Sequence, residues 1–383
     1  MLIAPPLSLY IHIPWCIQKC PYCDFNSHAL KQTVPEAEYV TELIKDLDSD
    51  IQRFNLTNKR LHTIFIGGGT PSIFSPESIH SLLSQVLARF DYDEDIEITL
   101  EANPGTVEAD KFIGFSQAGV SRLSIGVQSF ASDKLIKLGR IHDSQQAKNA
   151  ALLAHQAGIK SFNLDLMHGL PDQSLANALD DLKTAITLKP QHLSWYQLTI
   201  EPNTAFYSKP PLLPQEDELW KIQQQGLALL TSAGYKQYEI SGYSQTGYQC
   251  QHNLNYWQYG DYLGIGCGAH GKITDVESNT IYRTVKVKHP KGYLDKTRAH
   301  LDQLNEVSVN ERSFEYMMNR LRLFSPFTLN EYQARTGLTS KSILTKLEHA
   351  QAKGLLNSLS NNEEWQVTPN GHRYLNDLLT IFL

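Results

Sequence analysis

The chain lacks several things, and each absence narrows what it can be. No run of about 18 apolar residues occurs anywhere in it, so no membrane-spanning helix is expected. The first eight residues carry neither a basic region nor a long apolar stretch and do not read as a secretory signal. Charge of one sign is also missing. The 34 Lys and Arg stand against 40 Asp and Glu, a net charge of -6, which gives no global drive toward nucleic acid or an anionic membrane surface. Cysteine is scarce: there are five, an odd number, and three of them fall within eight residues. That usage argues against a disulfide framework and for a metal site in a reducing, cytoplasmic compartment.

What is present is enough chain, 383 residues, for one large domain and a smaller one. A βα rhythm runs through the first 240 residues. Apolar runs recur at 9–13, 63–66, 96–100, 122–127, 162–167 and 192–198. Stretches with helical spacing of apolar residues lie between and after them, at 36–53, 76–90, 107–118, 144–157, 175–188 and 216–233. Nearly continuous apolar strands, each followed by a helix, argue for a parallel sheet. Six such units predict an α/β fold with a partial (β/α)6 barrel, since a closed barrel needs eight. An open doubly wound sheet is the alternative. Gly119, Gly158 and Gly234 stand where helices should stop.

The rhythm breaks near residue 245. Residues 246–310, rich in Gly, Tyr and His, show no clear period and read as a connecting segment. Residues 311–383 read as a helix, two further helices each stopped by Gly, then a strand, a turn and a last helix, which resembles a winged helix. Its candidate recognition helix, 340–354, mixes charge signs, so DNA binding is not expected. The expected division is therefore 1–245, 246–310 and 311–383.

Cys16, Cys20 and Cys23, spaced C-x3-C-x2-C, directly follow the first strand. Three thiolates on a [4Fe–4S] cube leave one iron without a protein ligand, as a reactive site requires. The amino and carboxylate groups of a methionine moiety can chelate that iron, and one electron can then break a sulfonium carbon–sulfur bond. Zinc would call for a second cysteine pair, and there is none. Gly67-Gly68-Gly69-Thr70 ends the second strand, Glu101 follows the third and Gln128 the fourth. These residues gather at the C-terminal ends of the predicted strands, the face on which α/β barrels build their sites.

The segment YIHIPWCIQKCPYC resembles the start of the radical S-adenosylmethionine superfamily, and GGGTP, LEANP, GVQSF, LGRIH and NLDLMHGLP extend the likeness over nearly the whole chain. The resemblance is to the group that holds an oxygen-independent coproporphyrinogen III dehydrogenase and a heme chaperone. It implies a [4Fe–4S] cluster on Cys16, Cys20 and Cys23 and S-adenosylmethionine at Tyr10, Tyr22, Gly68, Gly69, Thr70, Glu101, Gln128, Arg140 and Asp165. The last three belong to an outer region where the family enzyme has been described with a second S-adenosylmethionine.

Two features separate the two members of that group. The dehydrogenase carries C-x-C at its third cysteine, whereas here Cys23 is followed by Asp24 and Phe25, the C-x-F of the chaperone. The stretch His252-Asn253-x-x-Tyr256-Trp257 matches a second motif of the chaperone. An imidazole suits heme iron and flat aromatic rings suit a porphyrin face, so His252, Tyr256 and Trp257 are heme-binding candidates. Cys250 and Cys267 read as small buried residues. The resemblance thus implies heme as cargo, a heme-acceptor protein such as one of the respiratory chain, an electron donor for the cluster and a homodimer dependent on it. The competing expectations are decarboxylation of coproporphyrinogen III, radical degradation of heme, and simple cluster carriage.

Overall fold

Each of the six predicted strands forms where the apolar runs place it. They are β1 (Leu7–Ile13), β2 (Arg60–Gly68), β3 (Asp91–Ala102), β4 (Arg122–Gln128), β5 (Ser161–His168) and β6 (His192–Gln197). The computed structural model describes residues 1–57, 59–105, 109–360 and 363–383. Between and after the strands run α1 (Glu36–Arg53), α2 (Pro76–Leu87), α3 (Phe112–Gln117), α4 (Ser144–Gln156), α5 (Leu175–Thr187) and α6 (Glu216–Ser232). The expected helix at 107–118 is seen from residue 112, and positions 107 and 108 lie outside the described residues.

Local chemistry sets the helix ends. The Ser75 hydroxyl accepts from the Ser78 N–H ahead of Pro76, and reciprocal capping boxes start α4 at Asp143 and α5 at Ser174. Gly158 and Gly234 follow α4 and α6 at φ 70° and 88°, with nothing near a would-be Cβ. Conformation, not space, selects glycine there.

β1 to β6 stand side by side in chain order and all run parallel. That is the winding of a (β/α) barrel, because a doubly wound sheet reverses its order at a switch point. The sheet is open. Beyond β6 it adds the short strands β8 (Gly242–Ser244) and β7 (Lys236–Gln237).

Residues 246–310, in which the sequence shows no clear period, carry regular structure. They form α7 (Gln251–Trp257) and strands β9 (Asp261–Ile265), β10 (His270–Asp275), β11 (Thr280–Lys286) and β12 (Leu301–Glu306). β9 lies parallel to β1 on its free edge, pairing Leu7 with Asp261 through Ile11 with Ile265, and β10 to β12 continue the sheet antiparallel. No period was visible because β12 is mostly exposed along its length and β9 and β10 carry Gly264 and Gly271. A buried ion cluster fastens this extension to α1. The Lys286 ammonium sits between the Asp46 and Asp50 carboxylates, and the Tyr293 hydroxyl donates to Asp46 at 2.7 Å. Such a cluster is costly to break from one side, because a bare buried charge remains.

The C-terminal region packs α8 (Val309–Arg320), α9 (Leu329–Thr336) and α10 (Lys341–Ala352) against a three-stranded sheet of β13 (Phe327–Thr328), β15 (Glu364–Val367) and β14 (Leu356–Leu359), the order expected of a winged helix. Its core includes Tyr316, Ile343, Leu347 and Trp365, and Leu2 from the other end of the chain is buried in it.

Candidate functional site

Two cavities of similar size open side by side at the C-terminal ends of the strands. The first encloses about 450 Å3 and is lined by the three cysteines, the Gly68–Thr70 turn, Glu101, Asn103, Gln128, Arg140 and Asp165. The cysteine loop is folded back on itself: Trp15–Cys16 pairs with His28–Ala29, and the Leu30 N–H donates to the Cys16 carbonyl at 2.9 Å. The glycine turn is laced to it, with the Gly69 N–H on the Ile13 carbonyl at 2.7 Å and the Thr70 N–H on the Trp15 carbonyl at 2.8 Å. A Cβ at Gly69 would stand 2.4 Å from the Trp15 carbonyl oxygen and 3.0 Å from the Cys16 sulfur, so only glycine lets these two loops meet.

Burial raises the thiol pKa of Cys16 and of Cys23, so a metal is needed to hold them as thiolates near neutral pH. Among the described residues no three His, Cys, Asp or Glu converge on a point that a single ion could occupy. A four-iron cube takes its ligands at separate corners, and thiolates spaced around a shared cavity suit it.

A polar belt runs behind the cysteines. Arg140 donates to the Cys20 sulfur at 3.5 Å, to the Asn103 side-chain oxygen at 2.8 Å and to the Gly126 carbonyl at 2.7 Å. The Asn103 amide donates in turn to the Thr70 hydroxyl at 3.2 Å. Glu101 accepts from the Gly68 N–H at 3.0 Å. Burial pushes its pKa up to about 8 against that hydrogen bond, with the Asp165 charge adding to the rise. A carboxyl so placed is poised to meet a polar or cationic ligand. Asp165, also raised by burial, accepts from Asn163 at 2.8 Å and Ser124 at 3.0 Å. Gln128 sits at φ 70°, where a side chain is strained, and accepts from the Tyr196 hydroxyl at 2.8 Å.

Eight of the nine residues expected around S-adenosylmethionine line this one chamber. The ninth, Tyr10, lines the second cavity. Asn103 and Tyr196 were not anticipated. Asn103 lies two residues beyond Glu101 in LEANP, a position that the strand-end rule covers equally well.

The second cavity encloses about 460 Å3. Tyr10 comes from β1, Tyr256 and Trp257 from α7, Tyr262 from β9, His270 and Lys272 from β10, and Arg283 from β11. Phe25, Gly68 and Glu101 line both cavities, so the chambers share a wall. The Trp257 indole N–H is buried with no partner among the described residues, and the Arg322 guanidinium lies 4.3 Å above that ring.

His252 takes a different place from the one expected of a heme contact. It is completely buried beneath Tyr256 and does not line the cavity. Its Nδ1 is hydrogen-bonded to the Thr63 hydroxyl at 2.7 Å and its Nε2 to the Tyr256 hydroxyl at 2.9 Å, and burial lowers its pKa to about 3. On the seven-residue α7 the motif's His and Tyr are one turn apart, so the His that points inward sets the Tyr that faces the cavity. Cys250 and Cys267 are both buried, as expected of small core residues.

Residues 10–182 match the Radical SAM superfamily and residues 307–374 match the HemN C-terminal domain. The chain is similar to the heme chaperone HemW of Escherichia coli, at 56% identity over 383 residues and 100% of both chains. It is likewise similar to the heme chaperone HemW of Haemophilus influenzae, at 54% identity over 99% of this chain and 98% of that one. Among solved structures, the coproporphyrinogen III oxidase HemN of Escherichia coli, a radical SAM enzyme, superposes with a TM-score of 0.81. It covers 99% of this chain and 90% of that one at 23% identity, a likeness of fold. Among the described residues no helix is long and apolar enough to cross a membrane.

Proposed function

The chain belongs to the radical SAM superfamily, in the family of the HemW relatives, and from that premise we propose that it is a cytoplasmic heme chaperone that binds heme and passes it to an acceptor protein. The observation that carries this reading is the second cavity, walled by Tyr10, Tyr256, Trp257 and Tyr262 and adjoining the cysteine chamber. Aromatic walls offer the flat apolar contact a porphyrin needs.

In the neighbouring chamber Cys16, Cys20 and Cys23 would hold a [4Fe–4S] cluster. Gly68, Gly69, Thr70, Glu101 and Tyr22 would receive S-adenosylmethionine, with Gln128, Arg140 and Asp165 at the outer side. When bound, the cluster supplies the single electron that reductive sulfonium cleavage requires. The protein's own contribution is to bind and orient: Glu101 offers a buried carboxyl beside the glycine turn, and Arg140 ties Cys20 to the Asn103–Thr70 side of the pocket. Asp24 and Phe25 after Cys23, in place of a further C-x-C cysteine, favour cargo binding over porphyrinogen decarboxylation.

The test is anaerobic titration of the cluster-reconstituted protein with heme, followed by mixing with a heme-free acceptor. Stoichiometric binding and transfer of the Soret band to the acceptor are expected. Failure to bind heme, or robust decarboxylation of coproporphyrinogen III with S-adenosylmethionine and a reductant, would overturn the proposal.

A further inference from the structure

Resting on the heme reading above, we infer that His270, not His252, gives heme iron its imidazole ligand in the aromatic chamber, and that His252 fixes the chamber wall from behind. The inference comes from asking which donor atoms around the cavity are free to leave their present partners. His12 has Nδ1 against the Tyr10 hydroxyl at 3.0 Å and Nε2 against the Asn26 carbonyl at 2.9 Å. The Tyr256 hydroxyl is held by His252 at 2.9 Å. The Tyr262 hydroxyl accepts from Arg283 at 2.9 Å, and the Tyr259 hydroxyl donates to Glu315 at 2.6 Å. The Lys272 ammonium is fully buried and donates to Asp261, Thr274 and the Tyr259 carbonyl. Taking any of these as a ligand would strand a buried polar group, at a cost of about 1–3 kcal/mol.

His270 stands apart from them. It lines the cavity, it is exposed, and neither ring nitrogen has a hydrogen-bond partner among the described residues. Its backbone is nevertheless rigidly placed. A Cβ at Gly264 would fall 1.9 Å from the His270 carbonyl oxygen, so β9 and β10 cross at van der Waals contact only because residue 264 is glycine. On the other side the Lys286 N–H donates to the Ala269 carbonyl at 2.8 Å. Partial burial, then the nearby Lys288 and Arg283 charges, lower the imidazole pKa. The ring is therefore neutral near pH 7 with a lone pair to give. Coordination forms one iron–nitrogen bond and moves neither proton nor electron.

The test is a heme titration of wild type, His270→Ala, His270→Met and His252→Gln, read by Soret position, electron paramagnetic resonance and apparent Kd. His252→Gln should keep the imidazole-ligated spectrum of wild type while raising the apparent Kd, as expected of a residue that sets the Tyr256 wall. His270→Ala should lose that spectrum, bind about tenfold or more weakly, and recover the spectrum when free imidazole is added. His270→Met should replace the imidazole signature with that of a thioether. If both His270 variants keep the wild-type spectrum and affinity while His252→Gln loses them, the assignment to His270 is wrong and the heme reading survives. If wild type binds no heme, the heme reading itself is wrong and the assignment goes with it.

Discussion

The two chambers are close in volume, meet at a shared wall and are built in different ways. The cysteine chamber is made of residues from the C-terminal parts of the parallel strands and the loops that follow them, and Arg140, Asn103 and Thr70 are joined in one hydrogen-bonded belt with Cys20. The aromatic chamber is made of β1, α7 and the β9–β11 extension contributed some 250 residues later in the chain, and the hydroxyls of Tyr256, Tyr259 and Tyr262 are already held by His252, Glu315 and Arg283. The first is organised like a reaction site on a barrel rim, with carboxyls raised in pKa and glycines at contact distance. The second is organised as a receptacle, flat-sided and with little free hydrogen-bonding capacity. The two chambers are thus kept apart while staying in touch through Phe25, Gly68 and Glu101.

The largest effect that would probe this separation is loss of the cluster. Alanine at Cys16, Cys20 or Cys23 should reduce reconstituted iron from about four per chain to background while heme titration is retained. Parallel loss of heme binding would show that the chambers do not act separately. Next comes the fastening of the extension. Lys286→Met leaves Asp46 buried without a cation and Asp50 with Arg53 alone, and should cost about 3–5 kcal/mol in urea denaturation. An unchanged midpoint would mean that the extension holds without that cluster.

Smaller still, the chambers should respond to pH in opposite senses. His252, with its pKa lowered to about 3, contributes stability that is fully present above its unfolded value near 6.5 and is lost as pH falls toward 3. Glu101, with its pKa raised to about 8, contributes stability that is present below its unfolded value near 4.5 and is lost as pH rises through 8. Ligand-free Glu101→Gln should flatten the alkaline side of the stability profile, and His252→Gln the acid side. The smallest effect is expected at the common wall. Phe25 is 60% exposed, so Phe25→Ala should change stability by no more than about 0.5 kcal/mol. It should weaken both heme and S-adenosylmethionine binding, and a change in only one titration would assign that ring to one chamber.

The cysteine chamber could be read from the sequence because each of its parts is local. An apolar run predicts a strand, the next few residues lie on the rim, and Cys16, Gly68, Glu101 and Gln128 all obey that rule. The aromatic chamber could not, because long-range pairing decides it. Nothing near Asp261 announces that β9 will lie along β1 and carry Tyr262 to a cavity shared with Tyr10. Position 252 shows the same limit. HNLNYW marks the right helix, but Thr63, 189 residues away, claims one nitrogen of His252 and Tyr256 claims the other. His270 passed as part of a glycine-rich stretch because what distinguishes it, two nitrogens without partners, exists only once its neighbours are folded around it.

The pairing of β1 with β9 also has a consequence on the ribosome. β1 is among the first segments made, yet one of its edges stays open until Ile265 is synthesised about 250 residues later, roughly 10 to 50 seconds at ordinary elongation rates. During that interval an apolar strand, LSLYIHI, offers unsatisfied backbone groups to any passing chain. The residues that line the cysteine chamber have all been made by Glu201, just beyond β6, whereas the aromatic hollow cannot exist until β11 is in place. Order of synthesis alone therefore completes the cysteine chamber before the aromatic one has its walls.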